Sequence, residues 1–520
     1  MNSRLAGARA ADAFAVVWLG ACLVACILVV PTVPVTWDEH AHALYGDAVL
    51  RWFATAGADP QALAFRGDSF YGAAYDLLGA CVRRICGGDG FAVLHGLGGG
   101  VAWCGLVVVW RLARRLDAVT GALALVLLTL TPVYVGHAFA NPKDLPFAVG
   151  YAGGVLGLAL WFEHDARSWK RTALVGVLLG LSCCVRAAGL GLLGMLLGIE
   201  MVRLLRPGES ESSLAERADA VVPHLVLVVS IAWAVMVVAW PWALQSPLVR
   251  PLLSLANLVD FDAHDRLMPF AGEMMRTTEP RRDYVLHMLA LKLPLPILVG
   301  GGLSVVLAER SKWRVLLPVH AAWVLPIVAV VLVNPVLYDG LRHMLFVVPV
   351  ACVAAAWGIV AALRRFGPAW SLLAAAGVLA GLVALFQQGA AIVRLHPMQS
   401  VWFNPVVGGL EGAQGRYSLD YYGFSYGEAA SLLREHVGDR AGPIAVEAAM
   451  PSWAGRWTFG APFQYTRGPG VEEPVAEFYV AYTRGEAHTK YPNSPIVATV
   501  SRDGVVLAVV KALRPGGHER

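Results

Sequence analysis

Charge is what this 520-residue sequence has least of: 15% of its residues are Asp, Glu, Lys or Arg, against about a quarter in soluble domains. Hydrophobic residues make up 57%, and mean hydropathy is +0.59. Uncharged runs of about 20 residues recur, which excludes a large soluble core as the reason for the apolar excess. The formal net charge of +4 is too small to argue for nucleic acid as a partner. The eight cysteines (Cys22, Cys26, Cys81, Cys86, Cys104, Cys183, Cys184 and Cys352) lie mostly inside apolar runs, where a thiol behaves as a small hydrophobe. No CxxC pair or zinc-type spacing occurs. Cys81 and Cys86, the only pair expected outside the membrane, fall on different faces of a helix. With no cysteine after residue 394, the tail is not a disulfide scaffold. Tandem repeats and low-complexity tracts are lacking too.

What is present is a series of spans of the length needed to cross a bilayer. They are predicted at 13–35, 91–110, 118–136, 145–162, 172–186, 187–203, 220–243, 290–308, 315–337, 343–363 and 369–393, about eleven in all. The first is too long for a signal-peptide core and lacks a clear cleavage site after it. The stretch 172–203 is interrupted by Arg186 and reads as two short helices turning at the outer surface. With a cytoplasmic N-terminus, the basic clusters Arg111/Arg114/Arg115, Arg167/Lys170/Arg171, Arg203/Arg206/Arg217, Arg310/Lys312/Arg314 and Arg364/Arg365 all lie inside, as the positive-inside rule requires. An odd number of spans then places the C-terminal tail outside.

The expected fold is therefore mostly α: a polytopic membrane domain over 1–393 and a small extracytoplasmic α/β domain over 394–520. Four outer segments remain, 36–90, 141–144, 244–289 and 338–342. Within the first, 40–53 and 69–85 are expected as interfacial amphipathic helices. In the tail, Ser425 and Glu428 have capping-box spacing before a helix to 437. Strands are expected at 444–448, 478–482 and 496–500, with Asp503-Gly504 turning into 505–510. The Ala-, Gly- and Arg-rich composition points to a GC-rich bacterial genome, hence the cytoplasmic (inner) membrane.

Three sets of residues can carry chemistry. Trp37-Asp38-Glu39-His40 follows the first span directly. Adjacent carboxylates at a membrane surface are costly unless used or paired. Either can serve as a general base, or the pair can be a water-facing helix cap. His40 and His42 can join them around a divalent cation, though nothing in the spacing fixes a metal. In Asn141-Pro142-Lys143-Asp144-Leu145-Pro146-Phe147, Pro142 makes a turn natural. It places Asp144 at the top of the next span, as a second acid or as a cap. Arg186, Lys292, Arg342 and His343 sit at outer helix ends, against the inward bias of positive charge. Such cations suit a lipid phosphate, or they snorkel to headgroups. The segments His396-Pro397-Met398-Gln399, Trp402-Phe403-Asn404-Pro405 and Asp420-Tyr421-Tyr422-Gly423 read as a membrane-proximal linker rich in aromatics.

Taken together, over about residues 13–430, these pieces resemble the protein-mannosyltransferase-like glycosyltransferases of the GT-C fold class, which include the aminoarabinose transferases. The resemblance rests on the Asp38-Glu39 pair, the Asn141-Pro142-Lys143-Asp144 loop, Lys292 before Pro294 and the Tyr338-Asp339-Gly340-Leu341-Arg342-His343 segment. It implies an inverting glycosyltransferase taking a sugar from a polyprenyl-phosphate donor on the outer face. Asp38 would be the general base, with Glu39 as a further candidate, and Asp144 the second acid. Lys292 and Arg342 would hold the donor phosphate, with Lys143, Arg186, Tyr338 and His343 as further substrate contacts. No metal is implied. The acceptor, whether glycan, lipid or protein, is not specified. The alternative is a transporter or flippase of lipid-linked sugars, which would favour internal repeats and midplane charges. Here the charges gather at one face.

Overall fold

The structure is a computed structural model describing residues 2–65, 67–87, 90–163, 168–206, 213–257, 265–367, 371–440, 442–450, 452–466 and 476–513. Arg167 of the second basic cluster lies outside the described residues. Among the described residues, eight helices are long and apolar enough to cross a membrane: Leu5–Thr32, Phe91–Arg114, Asp144–Phe162, Ala187–Leu205, Leu214–Val237, Arg310–Val333, Val347–Phe366 and Ser371–Arg394. The chain is an integral membrane protein.

The expected span 290–308 is a broken one: Tyr284–Lys292 and Leu295–Val306 meet at 116°. Pro294 cannot continue the hydrogen-bond ladder. Asn404 satisfies the carbonyls this frees: its side chain donates to the carbonyls of Ala290 (2.5 Å) and Leu293 (3.1 Å). Its N–H donates to that of Leu291 (2.9 Å). Two other expected spans are shorter than a bilayer crossing. The 118–136 stretch is a 12-residue helix, Ala118–Thr129, followed after a break by Pro132–His137. The 172–186 stretch is the 15-residue Trp169–Cys183. At 1.5 Å per residue these rise about 18 and 22 Å, against about 30 Å of hydrocarbon.

Asp144–Phe162 and Val347–Phe366 are the central helices, far more buried than the rest. Small residues let their neighbours approach closely, as in membrane helix packing generally. A Cβ on Gly358 would lie 2.0 Å from the Gly300 carbonyl oxygen, and one on Gly154 would lie 2.6 Å from Leu192.

After the first span, Glu39–Ala54 and Ala74–Cys86 form the two expected amphipathic helices. They cross at Gly46, where a Cβ would meet the Asp76 carbonyl at 2.2 Å. Between the spans at 214–237 and 284–306 lie Arg250–Asn257 and an unexpected antiparallel hairpin of β1 (Leu267–Phe270) and β2 (Glu273–Arg276).

The C-terminal region holds the helix Ser425–Val437 and five further strands: β3 (Ile444–Ala448), β4 (Phe463–Thr466), β5 (Phe478–Tyr482), β6 (Ile496–Arg502) and β7 (Val505–Ala512). They form one mixed sheet in the order β4-β3-β5-β7-β6, with β3 parallel to both neighbours and the other pairs antiparallel. The expected capping box at Ser425 is not formed. Asp420 instead accepts from the N–H groups of Phe424 (2.8 Å) and Ser425 (2.9 Å). Glu428 turns outward to pair with Arg502 at 2.5 Å.

Candidate active site

The first span ends at Thr32, and the chain turns at Trp37-Asp38 into the helix Glu39–Ala54. Asp38 is the residue before that helix and makes no capping hydrogen bond, so its carboxylate is left for other partners. About a third of the side chain is exposed, and its Oδ2 lies 3.4 Å from Arg342 Nη2. Burial works against its charge, but Arg342, Lys143 and His42 together hold the Asp38 carboxyl below its ordinary range.

Glu39, beside it in sequence, points elsewhere. Its Oε2 accepts from the Thr36 N–H (2.7 Å) and lies 3.0 Å from Thr36 Oγ1, and its Oε1 is 2.8 Å from His95 Nε2. Thr36 Oγ1 is also 3.0 Å from the Ala140 carbonyl. Glu39 thus ties the Thr36–Glu39 turn to His95 on the helix Phe91–Arg114 and does not face the other acids.

The second turn is built by Asn141. Its Oδ1 accepts from the N–H groups of Asp144 (2.8 Å) and Lys143 (3.2 Å), an Asx-type arrangement that starts the helix Asp144–Phe162. Its Nδ2 donates to Asp144 Oδ2 (3.1 Å) and His137 Nδ1 (2.9 Å). His137 Nε2 then carries the proton donated to Tyr421 Oη at 3.0 Å. Asp144 is buried, which would be prohibitive without compensation. It is ion-paired and hydrogen-bonded to Arg186, lies 3.4 Å from Arg342 Nε and accepts from Tyr422 Oη at 3.3 Å.

Arg342 therefore stands between two carboxylates from different turns, Asp38 and Asp144, with Asp339 as a third at 3.7 Å. Its guanidinium also lies over the rings of Tyr338 and Tyr422, at 5.4 and 5.2 Å. Lys143 Nζ sits 3.9 Å from the centre of the Tyr71 ring and 3.7 Å from Asp68. Burial opposes its charge, and Tyr71 and Asp68 outweigh that, holding it above its ordinary value.

The cations of this cluster share the wall of a cavity of about 640 Å³. Lys143, Arg186, Arg342, His343, Tyr338 and Tyr71 line it, and its remaining walls are mainly apolar, among them Ala188, Met195, Leu255, Leu325, Val333, Leu337 and Phe346. Clustered cations in the wall of a largely apolar cavity suit an anionic headgroup on a hydrocarbon chain.

Lys292 is placed differently from the expectation. It is buried, and Nζ donates to the carbonyls of Ser400 (2.9 Å) and Trp402 (2.8 Å) above the Phe403 ring at 3.6 Å. It is not among the residues lining that cavity. Its position one residue before the break in the span aims it into the linker after the last helix. His42 faces Asp76 at 2.9 Å, both buried. Among the described residues, no group of three His, Cys, Asp or Glu is arranged to hold a metal ion.

The residues missed by sequence reasoning come from segments without a motif. Tyr71 lies in the first loop, and Tyr422 in the supposed linker. The turn after β5 contributes Arg484, which pairs with Asp339. The aromatic run at 421–422 was the one available signal.

No family model matches the chain, and no curated protein is similar to it at the level of sequence. Solved structures are similar in architecture. ArnT from Cupriavidus metallidurans bound to undecaprenyl phosphate is 15% identical, with 95% of this chain and 97% of that chain aligned at a TM-score of 0.52. Its apo form gives 15%, 96%, 98% and 0.52. The oligosaccharyltransferase of Archaeoglobus fulgidus gives 12% identity, 85% of this chain, 62% of that one and a TM-score of 0.48. The agreement with ArnT over nearly the whole of both chains gives this protein the GT-C fold.

Proposed function

We propose that this protein is an inverting glycosyltransferase that moves a sugar from a polyprenyl-phosphate donor to an acceptor at the outer face of the membrane. One observation carries the reading: a partly exposed carboxylate, Asp38, stands beside a cluster of cations that line a largely apolar cavity. An ArnT of the same fold was solved with undecaprenyl phosphate bound, a ligand with the same two-part chemistry.

In the reaction, an acceptor hydroxyl or amine gives its proton to Asp38 as its oxygen or nitrogen attacks the anomeric carbon. The bond from that carbon to the phosphate oxygen breaks, and polyprenyl phosphate leaves with the bonding pair. Attack from the face opposite the phosphate inverts the centre. Asp38 is fit for the base, being ionised and only partly enclosed. Arg342, Arg186 and Lys143 meet the charge growing on the phosphate, where fixed cations in a site screened from water act strongly. Tyr338 and His343 line the same cavity. Asp144 spaces the two arginines rather than meeting substrate, and Glu39 sets the Asp38 turn. Lys292, a phosphate ligand by resemblance, is assigned to holding the linker. The orientation follows the positive-inside pattern, with a cytoplasmic N-terminus.

The test is to incubate the purified protein in detergent with a panel of polyprenyl-phosphate sugars and membrane extract as acceptor source. Release of polyprenyl phosphate with one sugar supports the reading. Donor binding with no release from any sugar overturns it in favour of a carrier of lipid-linked sugars.

A further inference from the structure

Three carboxylates compete for Arg342. Asp38 lies by its Nη2 and Asp144 by its Nε, while Asp339 lies 3.7 Å from its remaining nitrogen, Nη1. Asp339 is buried and adopts a left-handed conformation (φ 58°), followed by Gly340 (φ 71°). This tight turn folds its carboxylate back toward the arginine three residues on. An unpaired buried carboxylate at that distance would draw the guanidinium toward itself.

Asp339 is not unpaired. Arg484, two residues after β5, reaches back with a largely buried side chain to donate to Asp339 Oδ1. It also donates to the Tyr421 carbonyl at 3.2 Å. The strand before it is anchored to the Asp38 turn: Tyr482 packs on Trp37 with ring centres 5.5 Å apart, and Tyr426 approaches the same ring edge-on at 6.2 Å. Gly423 (φ 72°) permits this closeness, since a Cβ there would sit 2.4 Å from Trp37 Nε1.

We infer that Arg484 is a positioning residue through which the C-terminal sheet completes the donor site: it neutralises Asp339 and so leaves Arg342 turned toward Asp38, Asp144 and the donor phosphate. This rests on the donor-site reading above. It gives the C-terminal region an electrostatic part in donor binding, besides any contact it makes with an acceptor.

The experiment titrates undecaprenyl phosphate into full-length wild type, Arg484→Ala, Asp339→Asn and the double variant in detergent, recording unfolding temperatures in parallel. Arg484→Ala is expected to bind about tenfold more weakly, the loss of one well-aimed charge-assisted contact. Asp339→Asn stays within about threefold of wild type, and the double variant within about threefold of Asp339→Asn, because the competing charge is gone. An arginine that merely tied the sheet down would leave the double variant at least as impaired as Arg484→Ala, and that result overturns the inference. So does unchanged binding in Arg484→Ala. Should Arg484→Ala not fold, the comparison of the double variant with Asp339→Asn decides alone: equal affinity supports the inference, and a tenfold gap overturns it. A wild type that binds no undecaprenyl phosphate overturns the donor reading, and this inference with it.

Discussion

Replacing Arg342 by Gln should weaken donor binding about hundredfold while leaving the protein folded. Arg342 lies 3.4 Å from Asp38, 3.4 Å from Asp144 and 3.7 Å from Asp339. At an effective dielectric of about 20, each contact is worth on the order of 4–5 kcal/mol before desolvation. Most of this is not lost on substitution. Asp144 keeps Arg186 and Asn141, Asp339 keeps Arg484, and Asp38 is exposed enough for water to compensate. What has no substitute is the forked donor for the phosphate, worth about 1.5–3 kcal/mol for hydrogen bonds to a charged group. Near the upper end of that range, the expected change is about hundredfold weaker binding of polyprenyl phosphate. Arg342→Lys, which keeps the charge and loses the fork, falls between, about tenfold weaker. The assay is titration calorimetry in detergent with a short-chain polyprenyl phosphate, with unfolding temperature as the control for folding. Binding by Arg342→Gln within about threefold of wild type would refute the placement of the phosphate at this guanidinium.

Two further outcomes separate structural from substrate-facing charges. Lys292→Met should bind the donor within about threefold of wild type but unfold at a lower temperature, because two buried carbonyls lose their donor; tenfold weaker binding at unchanged stability would return Lys292 to the donor site. At His42, burial disfavours the imidazolium, but Asp76 at 2.9 Å outweighs it and raises the group above its ordinary 6.5. A raised histidine stabilises the fold fully below pH 6.5, and that contribution is lost as pH climbs through the higher folded value. Unfolding temperature should thus fall as pH rises above 6.5 in wild type and fall less in Asp76→Asn; parallel curves would show that the pair does not titrate this way.

The spans were legible because hydrocarbon demands long uncharged runs, and the apolar periods of 91–114, 144–162 and 347–366 are unbroken. The break at Pro294 was harder to see, because its compensation comes from Asn404, over a hundred residues away. Strands at 444–448 and 478–482 announced themselves by β-branched and aromatic residues. Phe463–Thr466 is a four-residue edge strand beside β3, too short for alternation to show. The acidic and cationic residues were found because charge next to a span is conspicuous. Their division of labour was not legible. Lys292 and Arg342 are both cations near span ends, and only packing shows one turned to backbone carbonyls and the other to carboxylates. Asp38 and Glu39 are adjacent in sequence, and the helix start turns them apart. Arg484 carried no signal, since a single arginine after a strand looks like solvent-facing charge.

The most direct test of the central claim is turnover against binding in Asp38→Asn. The substitution keeps shape and removes the proton acceptor. Loss of about a thousandfold or more in sugar transfer, with donor affinity within a few-fold of wild type, is the result expected of a lost general base. Transfer at the wild-type rate would contradict it, leaving the cation-lined cavity as a binding site whose base lies elsewhere.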